Sequence, residues 1–418
     1  MIAANRAPHL EKKVVSTQSM SRPRILYVCS CWPHDRAFGG QLRALHVGRA
    51  LQQFGRPTLV VVGAHDVDAE ARARTAAEFD LGREIQVVNT PARGIIKRST
   101  SMLNRRFTTI HGVVAKAADE AWLIDAQRQF DLIWFFKLRT ANYFRTAHWT
   151  RSVVDVDDVP STMEKSRLQT DADFRTRAKA WLRMIELRRH EKRLSRRFDI
   201  VAVCSEADRS ILANRRLTPH IIPNGFARPA AEPAWNPVDP PRIGFMGLYS
   251  YLPNLDGIRW FMDHCWQRIR EQIPGVTLRL IGQDSDGPLK PQDPSVTGLG
   301  WVENPAAEVA TWSLMIVPIR IGAGTRVKIP DAFSRKCPLV STRFGALGYD
   351  VRHNRELLLA DDPREFANAC LSLIRDRQQA AALARRAYEA FLEKWTWDAI
   401  APRVWSAASD CLRRNFGR

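Results

Sequence analysis

Long apolar runs are missing from this chain. No stretch approaches the length of a bilayer span, and the first 20 residues, MIAANRAPHLEKKVVSTQSM, lack the apolar core of a signal peptide, so any membrane contact is expected to be peripheral. Paired cysteines are missing too. The seven cysteines, Cys29, Cys31, Cys204, Cys265, Cys337, Cys370 and Cys411, show no C-x-x-C spacing, and several sit inside apolar runs such as VCS at 28–30 and 203–205. That excludes a disulfide frame and points to buried, reduced thiols in a cytoplasmic protein. Acids are scarce: 44 Asp and Glu face 63 Lys and Arg, a formal net charge of +19. Such a balance calls for a polyanionic partner or an anionic membrane surface. No zinc-finger spacing, basic zipper or ribonucleoprotein aromatic motif accompanies it, so nucleic acid is not the expected partner. A P-loop is absent, and neither FGGQLRA (38–44) nor GAGTRVK (322–328) supplies the third glycine of a dinucleotide fingerprint.

What is present is a repeated alternation of apolar strands and helical segments. At 418 residues and 45% hydrophobic content, two globular domains are the natural expectation. RILYVCS from 24, PTLVVVG from 57, EIQVVN from 84, DLIWFF from 131, SVVDVDD from 152 and DIVAVCS from 199 are continuous apolar runs, as strands of a covered parallel sheet require. The proline-rich segment within 224–242 breaks the pattern and reads as a linker. RIGFMG from 242, VTLRLIG from 276, LMIVPI from 314 and PLVST from 338 then open a second alternation. The expected organisation is a tail at 1–21, a first Rossmann-like α/β domain at 22–225, a linker at 226–241, a second such domain at 242–396, and a helix at 397–418 packing back on the first.

The segment 313–348 carries the most chemistry. A strand at Leu314–Pro318 leads into Gly322, Ala323 and Gly324, with Arg326 and Lys328 where the next helix should begin. Two glycines let backbone approach an anion, and two cations suit a departing diphosphate. Asp331, one turn on, is placed to accept from sugar hydroxyls.

With these pieces in order, FGGQLRA, VVDVDDVPS (153–161), VCSEADR (203–209), IIPNGF (221–226), PNLDGIRWF (253–261), VTGLGWV (296–302) and GAGTRVKIPDAF (322–333), the chain resembles the family 4 glycosyltransferases of the GT-B fold. The resemblance implies two doubly wound domains facing each other across a cleft and a retaining enzyme that uses a nucleotide-sugar without a metal or other cofactor. It implies that Arg326 and Lys328 hold the diphosphate and act as the catalytic cations. Gly40, Gly247, Gly322, Gly324, Thr325, Asp331 and Gly345 would line the donor site. Gly39, Asp155, His34 and His111 are the acceptor or cleft candidates. Many members carry two glutamates eight positions apart; here the first position is Ala323 and the second is Asp331, so sugar recognition must come from elsewhere.

Three other readings compete. Asp155, Asp157 and Asp158 form D-x-D-D, a pattern that elsewhere binds a divalent metal with the donor diphosphate, but it lies in the first sheet, far in sequence from the cationic loop, and is read as a loop element with Asp155 near the cleft. A nicotinamide oxidoreductase lacks its glycine pattern. A non-catalytic scaffold of the same fold is supported by the missing first glutamate alone. The basic helix around 163–198 is read as a solvated face, and RGIIKRSTSMLNRR (93–106), mixing cations with apolar residues, as the element suited to an anionic membrane. The expected activity is hexose transfer from a UDP- or GDP-linked sugar to a glycan or lipid-linked acceptor of exopolysaccharide, capsule or lipopolysaccharide, at the inner face of the cytoplasmic membrane.

Overall fold

The computed structural model describes residues 22–35, 40–64, 69–89, 113–168 and 173–416. Gly39, His111 and the basic stretch 93–106 lie outside the described residues. Two parallel sheets dominate. The first contains β1 (Arg24–Cys29), β2 (Arg56–Val62), β3 (Asp80–Ile85), β6 (Leu132–Phe136), β7 (Ser152–Asp155), β8 (Ile200–Val203) and β9 (His220–Ile221), while β4 (Val87–Asn89) and β5 (Val113–Ala115) pair antiparallel beside it. Its order is β3-β2-β1-β6-β7-β8-β9. The second contains β10 (Arg242–Met246), β11 (Thr277–Ile281), β12 (Val296–Gly298), β13 (Leu314–Val317), β14 (Leu339–Ser341) and β15 (Leu358–Leu359), ordered β12-β11-β10-β13-β14-β15.

Both orders reverse direction once, between β1 and β6 and between β10 and β13. In an open doubly wound sheet the crevice at that reversal, beyond the carboxyl ends of the strands, is where ligands lie. All residues of β6, β7, β8 and β13 are buried, because helices cover both faces and leave no polar side for the strands to alternate toward. One consequence is that the strand ends, not the strands, carry the polar chemistry.

The chain crosses between the sheets twice, and the crossings touch. Phe226 N donates to Trp395 O at 2.9 Å. A Cβ on Gly225 would stand 2.5 Å from Ile400 Cδ1 and 2.8 Å from Trp395 O, so only glycine fits between the strands of chain. After Trp395 the helix Trp397–Phe416 returns to the first sheet. Ile400, Val404, Ala407, Ala408 and Cys411 enter the core with Ile25 and Tyr27, and Trp405 Nε1 donates to Ala50 O at 2.8 Å. Six of the seven cysteines are buried and all are free thiols, and the Cys337 and Cys370 thiols are pushed up by burial.

Candidate active site between the two sheets

The second domain presents its cations on a loop that only glycines allow. Beyond β13, Gly322 has φ 131° and Gly324 φ 67°, backbone regions that side-chain-bearing residues avoid. Gly322 N donates to Ser166 Oγ of the first domain at 2.7 Å, and a Cβ on Gly324 would overlap the Asp158 carboxylate. The loop is thus pressed onto the first domain. Arg326 follows, its Nη1 donating to Gly324 O and its Cζ 4.3 Å above the Phe344 ring. Its Nη2 is buried and has no partner among the described residues. Burial lowers the pKa of this guanidinium, against the pull of Asp158.

Lys328 begins the helix Lys328–Ser334 and makes no ion pair among the described residues. Its Nζ lies 5.3 Å from the centre of the Phe245 ring, in space that Gly247 leaves open: a Cβ on Gly247 would stand 2.8 Å from it. Burial pushes its pKa down to about 8, Arg326 adds to that, and Asp331 opposes it. A lysine so placed is stabilised by an incoming anion. Asp331 itself is paired with Arg335 at 2.7 Å. Thr325 Oγ1 accepts from Asn224 Nδ2 of the first domain at 2.9 Å, and Gly345 closes a turn in which its N–H donates to Thr342 Oγ1 at 2.8 Å. Gly348 (φ 93°) wedges between Thr325 and Ser205.

The first domain answers with the end of β7. Asp155, read above as near the cleft, is fully buried and clamped by Arg43, whose Nε and Nη2 reach its two oxygens at 3.1 and 2.9 Å. Arg43 also donates to Ile222 O, Pro223 O and Asn224 Oδ1. Burial works against the Arg43 charge, but Asp155 and Asp157 outweigh it and hold the guanidinium above its usual range. The carboxylate therefore anchors the crossing segment rather than a substrate. Asp157 has φ 61°, which turns the chain sharply; its oxygens meet Lys137 Nζ at 3.3 Å and Asn224 Nδ2 at 3.2 Å. Lys137, at the carboxyl end of β6, occupies the reversal point of the first sheet, and its Nζ fills the space where a side chain at Gly40 would be. His34 stands in the loop after β1 with a buried Nδ1 that has no partner among the described residues.

The turn at Asp157 leaves Asp158 as the acid that meets the glycine loop. Among the described residues its hydrogen-bond donor is the Cys204 thiol, at 3.7 Å. Burial first, then the Asp157 charge, pushes its pKa up to about 7, with Lys137 and Arg326 opposing. Oxygens of Asp157 and Asp158 and Cys204 Sγ lie within 4.8 Å of one another, a set that could hold a metal, but Lys137 and Arg43 already stand at 3.3 and 3.5 Å from Asp157. Cations in place make that charge balance without an ion. The sequence carried a faint signal for both missed residues: Arg43 belongs to FGGQLRA, and Lys137 follows the β6 run.

The raised Asp158 gives a pH prediction. A carboxyl whose folded pKa exceeds its unfolded value binds more protons when folded, so its stabilising contribution is full below about 4 and is lost as pH rises through about 7. Wild type is expected to lose stability relative to Asp158→Asn across that window, by up to about 1.4 kcal/mol per pH unit, in urea unfolding at fixed ionic strength without nucleotide. Parallel curves would refute the placement.

Residues 240–376 match the family model described as Glycosyl transferases group 1. That segment of the second domain is similar to the group 1 glycosyltransferases. The whole chain has the GT-B fold: it resembles the sucrose-phosphate synthase (tll1590) of Thermosynechococcus elongatus (TM-score 0.62, 15% identity, 94% of this chain and 99% of that one). It also resembles Anabaena Alr3699/HepE, solved with UDP and glucose (TM-score 0.59, 15% identity, 93% and 99%), and WaaG, a glycosyltransferase involved in lipopolysaccharide biosynthesis (TM-score 0.56, 10% identity, 91% and 98%). In sequence, an uncharacterized 44.6 kDa protein in the cps region of Klebsiella pneumoniae is 22% identical over 161 residues, 36% of this chain and 42% of that protein. The match therefore spans less than half of that relative. The matched segment holds Arg326, Lys328, Gly247, Gly322, Gly324, Thr325, Asp331 and Gly345.

Proposed function

We propose that the protein is a retaining glycosyltransferase that moves a hexose from a UDP- or GDP-linked sugar to a glycan or lipid-linked acceptor. The observation that carries this reading is a pair of cations, Arg326, whose buried Nη2 has no hydrogen-bond partner among the described residues, and Lys328, which makes no ion pair among them, beside a positive-φ glycine loop at a sheet reversal. Cations drawn partly out of water without an ion pair cost stability, and a diphosphate repays that cost on binding. The acceptor hydroxyl would attack the anomeric carbon on the face from which the diphosphate leaves. The bond to the phosphate oxygen breaks as the new glycosidic bond forms, and the hydroxyl proton passes to the departing phosphate. Arg326 and Lys328 hold the charge that develops there, so no metal or other cofactor enters the scheme. Asp158, at Gly324 beside Ala323, supplies a carboxylate near the position of the family's missing first glutamate and accepts from a sugar hydroxyl.

Support for a cell-envelope glycan comes from the cps-region relative and from WaaG. The net charge of +19 supports peripheral contact with an anionic membrane at its cytoplasmic face. No helix among the described residues is long and apolar enough to cross a membrane. Thermal stabilisation by UDP, GDP and NAD tests the reading. One nucleoside diphosphate is expected to raise the melting temperature, with or without a chelator. A shift with NAD alone, or none, would sink it; a shift that the chelator removes would sink the metal-free scheme.

A further inference from the structure

The helix Phe174–Glu191 hides its acids and exposes three of its large apolar residues. Glu186 and Glu191 are buried, and Glu191 accepts from Ser161 N and Oγ at 2.8 and 2.7 Å, which fixes the helix against Pro160–Arg167. Ala180, Met184 and Leu187 fill the same inward face. On the opposite face Phe174 is 85% exposed, Trp181 51% and Leu182 48%. Helical spacing sets Phe174, Ala178, Trp181 and Ile185 in one line, with Arg177 and Arg188 along one side and Arg175 and Lys179 along the other, all four exposed. A solvated face would carry both signs of charge and no aromatic tips. This face carries one sign and two large aromatic rings.

We infer that this helix face docks the protein on an anionic phospholipid surface. Aromatic and aliphatic side chains flanked by cations suit the headgroup boundary: the rings enter the acyl edge while the arginines meet phosphates. Duplex nucleic acid would leave the exposed Phe174 ring without an apolar site, and a protein partner of matching charge would have to be strongly acidic and apolar at once. The location is also informative. Pro160–Arg167, against which the helix is held, touches the glycine loop through Ser166 and Gly322 N. The proposed surface is thus one helix away from the glycine loop. This inference rests on the membrane contact proposed above and names the surface that makes it.

The test is co-sedimentation of the full chain with phosphatidylcholine vesicles, with and without phosphatidylglycerol. Wild type, the double variant Phe174→Glu, Trp181→Glu and the double variant Arg177→Ser, Arg188→Ser are compared. Wild type is expected to sediment with the anionic vesicles only, less at high salt. The charge variant should lose at least about fivefold in binding and the aromatic variant more. Unchanged sedimentation of both variants would overturn the assignment of this surface while leaving membrane contact intact. Failure of wild type to sediment would overturn both. A wild-type dimer that the variants turn into monomers, or binding to duplex DNA lost in the variants without any vesicle binding, would overturn it in favour of a second copy or a nucleic acid. Retention of the nucleotide-induced thermal shift in each variant shows that the fold survives, and it keeps the glycosyltransferase reading separate.

Discussion

Replacing Arg326 and Lys328 together by alanine is expected to abolish stabilisation by the nucleoside diphosphate and to lower turnover by at least about a thousandfold, since single donors to a developing anion are each worth roughly 10²- to 10³-fold. The two cations differ in what they do. Arg326 is held by Gly324 O and the Phe344 face, which leaves Nη2 as its free donor, so its removal should cost affinity and rate together. Lys328 stands in the space above Gly247 with a pKa near 8, and an incoming diphosphate raises it. Donor affinity should therefore weaken as pH rises through about 8 in wild type. The free protein should tolerate the double substitution, because neither cation forms an ion pair among the described residues, although Asp158 loses the favourable charge of Arg326. Unchanged nucleotide affinity in a folded double variant would leave the scaffold reading standing and end the catalytic one.

Arg43→Met is expected to be the most destabilising single change in the first domain. It leaves the Asp155 carboxylate buried without a cation and strips donors from Ile222 O, Pro223 O and Asn224 Oδ1 at once. Breaking a buried pair from one side costs about 3–5 kcal/mol. Urea unfolding should show that loss, and adding Asp155→Asn should recover part of it, because the orphaned charge is then gone. Since Asn224 also reaches Asp157 and Thr325, the surviving fraction should bind nucleotide more weakly. A loss below about 1 kcal/mol would mean that water reaches Asp155 and that the clamp is not structural.

The comparison of sequence with structure is clearest at β7. VVDVDD reads as a strand ending in acids, and strand alternation would set Asp155 and Asp157 on one side. Asp157 adopts φ 61°, however, and a residue in that conformation breaks the alternation. No propensity announces it, because the turn is imposed by Lys137, Arg43 and Asn224 gathering on its oxygens. The same limit applies to Phe174–Glu191. Its charges and apolar residues are visible in the sequence, but a helix with two candidate faces does not say which one the protein covers.

From the sequence alone came what local physics decides: continuous apolar runs that suit strands covered on both sides, glycines at 322 and 324 that permit turns and close approaches a side chain would hinder, and two cations beside them. Tertiary structure decided every relation between residues far apart in the chain. It placed Asp158 rather than Asp155 against Gly324, gave Asp155 to Arg43, set Lys137 at the first sheet's reversal and turned Phe174 and Trp181 outward. These relations depend on which faces pack when two sheets close on each other, an energy summed over hundreds of buried contacts that no short segment of sequence contains.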